Sequence, residues 1–272
     1  MDFVNIRRIL SRVRCAVDEF HMLEDGDVVA VGLSGGKDSW TLLAALKELQ
    51  RFYPKRFGLC AISVSMGFEG MDYEPMRRFC EELAVPLRIV ETHIGSLIFE
   101  HRKEKNPCSL CAKMRRGILH QTAKEMGATK LALGHHYDDV VETFMLNLFH
   151  EGRLGVFLPV TYMSRRDLTV IRPMLYVPEK DIRYFAGHNP LPVLTNLCPA
   201  DGETERETMK RMLAGLDRQY KGLKHRIFGA VKKGGLFEEY VPDEELTAAS
   251  GSERQQDRTD ALPDEPTAGS DR

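Results

Sequence analysis

Residues 27–49 constrain the fold more than any other stretch. Asp27-Val28-Val29-Ala30-Val31-Gly32-Leu33 is an apolar run of strand length, Ser34-Gly35-Gly36-Lys37-Asp38-Ser39 is a glycine turn crowded with polar side chains, and Trp40 to Leu49 is a mostly apolar stretch of helix length. A buried strand that feeds a helix through a tight turn opens a parallel α/β sheet. The alternation then repeats. Strands are predicted at 58–64, 87–92, 130–134 and 170–173, the last stopped by Pro173, and helices at 73–83, 111–126, 138–149 and 179–186. The expected fold class is α/β, a doubly wound parallel sheet whose ligand sits beyond the carboxyl ends of its strands.

Two helices flank this pattern. Ile6, Ile9, Leu10, Val13, Val17 and Phe20 recur at helical spacing over 3–23, with Arg7, Arg8, Arg12 and Arg14 between them, and a last helix is predicted over 203–220. The expected organisation is an N-terminal basic helix (1–26), the α/β domain (27–222), a short extension (223–242) and a tail (243–272) whose Ser, Asp, Glu, Gly and Pro read as disordered. That tail holds nine acidic and three basic residues, so a chain of net charge −2 has a body of +4. Such a body is compatible with an RNA partner. No apolar run approaches the ~18 residues of a membrane span, and the N-terminus has no apolar signal core, so a cytoplasmic protein without membrane contact is expected. Six cysteines in a reducing compartment stay thiols unless a metal holds them.

Three motifs carry chemistry. The turn 34–39 lies at a helix N-terminus, where unpaired N–H groups and the helix dipole attract phosphate; its two glycines allow close approach, and two hydroxyls and Lys37 add donors. It is not a Walker A loop, because Asp38 rather than Ser or Thr follows the lysine, and it lacks G-x-G-x-x-G spacing. An ordinary glycine turn does not account for this crowding of Ser, Lys, Asp and Ser. The second motif is Cys108-Ser109-Leu110-Cys111 with a distant Cys198: an iron–sulfur site, a zinc site completed by His101, His135 or His136, a redox C-x-x-C, or chance with Cys198 merely buried. Cys15, Cys60 and Cys80 are expected to be ordinary core or surface residues. The third is Gly134-His135-His136-Tyr137-Asp138-Asp139-Val140-Val141-Glu142-Thr143 at the end of the fourth strand. Its acids serve either as helix-start partners or as Mg²⁺ or substrate contacts.

The loop Ser34 to Ser39 resembles the pyrophosphate loop (PP-loop) of the ATP pyrophosphatase superfamily, whose enzymes cleave ATP to AMP and pyrophosphate and activate a carbonyl oxygen as an adenylate. Taken in order, the run 18–27, this loop, Cys108-Ser109-Leu110-Cys111 with Arg115-Arg116-Gly117, the segment 134–143, Arg172-Pro173 with Val177-Pro178-Glu179-Lys180-Asp181, and Asn196-Leu197-Cys198 resemble the tRNA 2-thiocytidine synthetase family over about residues 5 to 215. The resemblance implies an adenine nucleotide alpha hydrolase-like fold. It implies ATP on Ser34, Gly35, Gly36, Lys37, Asp38, Ser39 and Gly134, with Mg²⁺, and catalytic roles for Lys37, Asp38 and Asp139. It further implies a 4Fe-4S cluster on Cys108, Cys111 and Cys198, thiolation of cytidine at tRNA position 32, sulfur from a cysteine desulfurase, and a homodimer. Arg102, Lys103, Lys105, Lys113, Arg115 and Arg116, with Lys210, Arg211, Arg218 and Lys221 of the last helix, are expected to meet tRNA phosphates.

Around the third cysteine the chain departs from the family: Thr195 precedes Asn196, and Pro199-Ala200-Asp201 follows Cys198 in place of Gly-Ser-Gln. That leaves a 2-thiouridine-type target as the alternative substrate. Two readings from other classes are a lysidine-type or amidating synthetase, which has no need of three cysteines, and a zinc-stabilised RNA-binding protein, which leaves the phosphate loop unexplained.

Overall fold

A computed structural model describes residues 3–102, 107–194, 197–199 and 204–238, with the side chains of residues 100–102 outside that set. The acidic tail from 243 on, Lys103, Lys105, Thr195 and Asn196, and the side chains of His101 and Arg102 therefore lie outside the described residues. Residues 1–237 form one unit; of the second, Glu238–Arg272, only the first residue is described.

The core is a six-stranded sheet of β1 (Val28–Gly32), β2 (Gly58–Val64), β3 (Leu87–Val90), β4 (Lys130–Ala132), β5 (Val160–Met163) and β6 (Leu168–Ile171), in the order β3-β2-β1-β4-β6-β5. Every neighbouring pair is parallel except β5 and β6. The expected doubly wound sheet is present, with the correction that its last edge strand runs antiparallel. Strand β5 was not predicted: Val160-Thr161-Tyr162-Met163 pairs on one side only and leaves Tyr162 exposed, so it has no long apolar run. Strand order reverses between β1 and β4, and the crevice at such a reversal is where doubly wound sheets hold their ligands.

Alternation along the strands divides the core. Val29, Val31, Ala61, Ala132 and Ile171 face one layer, built from α1 (Ile6–Glu19), α2 (Lys37–Leu49), α3 (Glu74–Glu82) and α7 (Glu179–His188). Ala30, Cys60, Ile62, Leu131 and Val170 face the other, covered by α5 (Pro107–Glu125) through Ala123 and Leu119. The apolar stripe read over 3–23 is real: Ile6, Ile9, Val13 and Val17 are buried, while Arg7 and Arg8 stay exposed. A third cluster joins α6 (Tyr137–Glu151) to α8 (Glu205–Gln219) and α9 (Leu223–Lys233) through Val140, Val141, Leu213, Phe228 and Val231. Between β3 and α5 a short helix α4 (Ile94–Ser96) runs into a π-helical stretch, Leu97–Arg102, which the periodicity does not reveal. Among the described residues no helix is long and apolar enough to cross a membrane.

Candidate active site

The predicted turn is partly helix. Helix α2 starts at Lys37, so Lys37, Asp38 and Ser39 form its first turn, and Gly36 at the N-cap leaves that turn without a side-chain cap. An uncapped helix start keeps its N–H groups for an anion. The two hydroxyls hold the turn in shape: the Ser34 amide donates to Ser39 Oγ (3.2 Å), Ser39 Oγ donates to the Gly36 carbonyl (2.9 Å), and the Gly36 amide donates to Ser34 Oγ (3.3 Å). Gly35 is required twice over. Its φ is +83°, and a Cβ there would lie 2.9 Å from the Leu194 side chain. At the end of β4, a Cβ on Gly134 would stand 3.3 Å from the Asp38 carbonyl carbon and the Ser39 amide nitrogen, so the two loops of the switch point meet backbone to backbone. The cavity between them, about 390 Å³, is lined by Ser34, Asp38, Ser39, Ile62, Gly134 and His135, among others. Glycine cradle, uncapped helix start and cavity together fit a nucleotide.

Charged groups gather beside it. Lys37 Nζ lies 3.1 Å from the Asp38 carboxylate and 3.3 Å from Glu179 Oε1. Glu179 also accepts from Lys210 (2.8 Å) and Arg183 (2.8 Å). Burial alone would raise the Glu179 pKa, but the Lys210 hydrogen bond and the charges of Lys210, Lys37 and Arg183 bring it down to about 2. The paired acids 138 and 139 separate in role. Asp138 Oδ2 accepts from the Glu179 amide (2.8 Å) and Oδ1 from Lys224 (2.7 Å); against the upward push of burial these hold its carboxyl below the ordinary range. Asp138 is thus a joint between α6, α7 and α9. Asp139 does cap α6, accepting from the His136 amide at 2.9 Å, and Arg206 lies 3.2 Å from its other oxygen. His136 Nε2 stands 3.8 Å from Asp38 Oδ1 and 3.6 Å from Asp139 Oδ2, so Lys37, Asp38 and Asp139 share one cluster. One turn on, burial and the charge of Asp139 push Glu142 up to about 7 against Arg206 and Lys210.

The cysteine motif also lies on a helix. Periodicity begins that helix at Cys111, whereas α5 begins at Pro107, a residue suited to a first helical position, so Cys108 and Cys111 stand one turn apart. Cys198 arrives by long-range contacts. The buried Trp40 donates its indole N–H to the Pro192 carbonyl (2.9 Å), and the Leu194 amide donates to the Gly35 carbonyl (3.0 Å), which ties the segment before Cys198 to the phosphate loop. Cys111 and Cys198 line one cavity of about 250 Å³. Burial raises the Cys111 thiol pKa, Arg115 opposes this, and Cys198 and Cys108 add to the rise, so all three sulfurs lie within electrostatic reach.

Of the three histidines offered for a zinc site, His135 and His136 do not line this cavity, and the side chain of His101 lies outside the described residues. His135 faces the nucleotide cavity with its ring 4.8 Å from Phe157, and burial with the charge of Arg172 lowers its pKa to about 4. His136 engages the two aspartates. Among the described residues no three His, Cys, Asp or Glu converge on one ion. Cys111 and Cys198 on one cavity wall, with Cys108 one helical turn before Cys111, are soft thiol donors of the kind that hold an iron–sulfur cluster. Cys60 and Cys80 are buried in the core, where desolvation raises both thiols, Cys80 to about 12, and Cys15 is exposed on α1.

The two cavities touch. Ser34, Val64 and Arg115 line both, so the phosphate loop and the cysteines open onto adjoining space. Sequence reasoning placed Arg115 with Arg116 among phosphate contacts and did not find the wall it forms. It also missed Arg206 and Lys224 as partners of Asp139 and Asp138; the sole local signal was Thr204-Glu205-Arg206-Glu207, a capping sequence that starts α8.

Comparison with known proteins follows the same lines. The PP-loop domain family matches residues 9–214. The chain is 41% identical over 228 residues to the tRNA-cytidine(32) 2-sulfurtransferase of Idiomarina loihiensis, covering 83% of this chain and 76% of that protein. It is 37% identical over 252 residues to that of Neisseria meningitidis serogroup C, covering 92% and 78%. Among solved structures, the U34-tRNA thiolase NcsA from Methanococcus maripaludis with its 4Fe-4S cluster is similar at a TM-score of 0.70 and 27% identity, over 87% of this chain and 80% of that one.

Proposed function

The chain belongs to the PP-loop family and, within it, to the tRNA-cytidine(32) 2-sulfurtransferases, and from that premise we propose that it converts cytidine 32 of tRNA to 2-thiocytidine by adenylating the base and replacing its O2 with sulfur. The observation that carries the proposal is the shared wall of the two cavities. A base lying there reaches the α-phosphate of a nucleotide on one side and the cysteines on the other.

In this mechanism the loop amides and Lys37 hold the leaving pyrophosphate, where the uncapped start of α2 favours negative charge. Asp38 and Asp139 would hold Mg²⁺, which would neutralise phosphate charge, and Glu179 fixes the Lys37 ammonium. Attack of the cytosine O2 on the α-phosphorus releases pyrophosphate; the oxygen then departs with AMP as sulfur enters at C2. Cys108, Cys111 and Cys198 would hold a 4Fe-4S cluster, which with three protein ligands supplies one open iron able to carry sulfur. A cysteine desulfurase supplies that sulfur, and the working form is a homodimer.

Protein purified without oxygen and incubated with ATP, a sulfide source and tRNA tests this reading. The expected products are AMP, pyrophosphate and thiolated tRNA, with about four iron per chain. ADP as the nucleotide product, or zinc in place of iron, would refute it.

A further inference from the structure

The thiolation reading does not say how the site distinguishes cytosine from uracil, which share the O2 to be replaced. The cavity beside the cysteines bears on this. Its far wall is prebuilt: the Gly95 amide donates to the Met66 carbonyl (2.8 Å), and a Cβ on Gly95 would lie 2.5 Å from the Phe68 ring, so Met66 and Phe68 are held against Gly95. With Val64, Met71 and Tyr73 this makes a largely apolar slot with room for a flat ring. Arg115 stands where the slot meets the nucleotide cavity and is partly buried; it hydrogen-bonds the Cys111 thiol, has no carboxylate within ion-pair distance among the described residues, and keeps its remaining N–H donors. A guanidinium in that position has donors to spend on a ligand.

We propose that Arg115 is the specificity-determining residue of this site and reads the O2/N3 edge of the target pyrimidine. The inference rests on the thiolation reading. A guanidinium offers parallel N–H donors and no acceptor. Cytosine presents acceptors at both O2 and N3 and is satisfied by the fork. Uracil presents an N3–H, which meets a second donor and leaves both unpaired in a dried site. The same contact orients O2 toward the shared wall.

The test is binding of anticodon stem-loop RNA carrying C32 or U32 to the cluster-loaded protein, measured by fluorescence anisotropy. The wild type should prefer C32 by about tenfold or more, the scale of one bidentate base contact. Arg115→Lys keeps the charge without the fork and should cut the preference to about threefold or less. Arg115→Gln, whose amide can also accept from N3–H, should recover U32 binding. Iron content, unchanged in both variants, controls for damage beside Cys111. A wild type that binds C32 and U32 equally, or an Arg115→Lys protein that keeps its iron and the full preference, would overturn the assignment and leave thiolation standing. Failure of the wild type to bind either RNA would overturn the tRNA reading, and the assignment with it.

Discussion

Replacing Glu179 by Gln tests whether the charged hub beside the phosphate loop is built as described. The side chain is 5% exposed and lies 2.8 Å from Lys210, 2.8 Å from Arg183 and 3.3 Å from Lys37. Its pKa of about 2, against an ordinary 4.5, corresponds to about 3 kcal/mol at about 1.4 kcal/mol per unit. The three cations are 30–61% exposed, and solvent screening of their charges brings the expected contribution nearer to about 2 kcal/mol. Because the folded pKa is depressed, this stability is complete above pH 4.5 and is lost as pH falls toward 2. Glutamine keeps the volume and never carries the charge. At pH 7 Glu179→Gln should therefore melt about 4–8 °C below the wild type, and by pH 3 more than half of that gap should be gone. Circular-dichroism melts of both proteins at pH 7, 5, 4 and 3 give the answer. A gap of constant size across that range, or none at pH 7, would show that the hub does not stabilise the fold through charge.

Three further outcomes are expected. Ala at Cys108, Cys111 or Cys198 should abolish iron binding, read as iron per chain after anaerobic purification, while Ala at Cys15 should leave it intact; a Cys198 variant with full iron content would remove that residue from the site. Gly134→Ala should lower ATP affinity at least about tenfold with a smaller change in stability, because the added methyl pushes on the Asp38–Ser39 backbone; isothermal titration showing wild-type affinity would place the nucleotide elsewhere. Glu142, raised from the ordinary 4.5 to about 7, favours the fold while protonated, so its contribution is complete below pH 4.5 and is lost as pH rises from there to about 7. Glu142→Gln should thus gain about 2–3 kcal/mol over the wild type at pH 8 and little at pH 5, and equal denaturant midpoints at pH 8 would contradict this.

Residues 27–49 were legible because strand, turn and helix are adjacent in the chain and each is a local pattern. The same holds for Gly134 and for the spacing of Cys108 and Cys111. What stayed hidden depends on partners far away in sequence. Nothing near Cys198 says that Leu194 binds the Gly35 carbonyl or that Trp40 holds Pro192. Asp138 and Asp139 look equivalent as letters; only the arrival of Lys224 and Arg206 from the C-terminal helices sends one into a joint and leaves the other beside His136. Arg115 reads as one more basic residue until the helix that carries it is laid across the sheet edge.

The central claim, that this chain thiolates cytidine 32, is tested most directly by nucleoside mass spectrometry of tRNA from a strain lacking the gene, before and after its return on a plasmid. The account predicts that 2-thiocytidine disappears in the deletion, returns with the wild-type gene and does not return with Cys198→Ala. An unchanged 2-thiocytidine level in the deletion strain, with no second copy of the gene present, would contradict it.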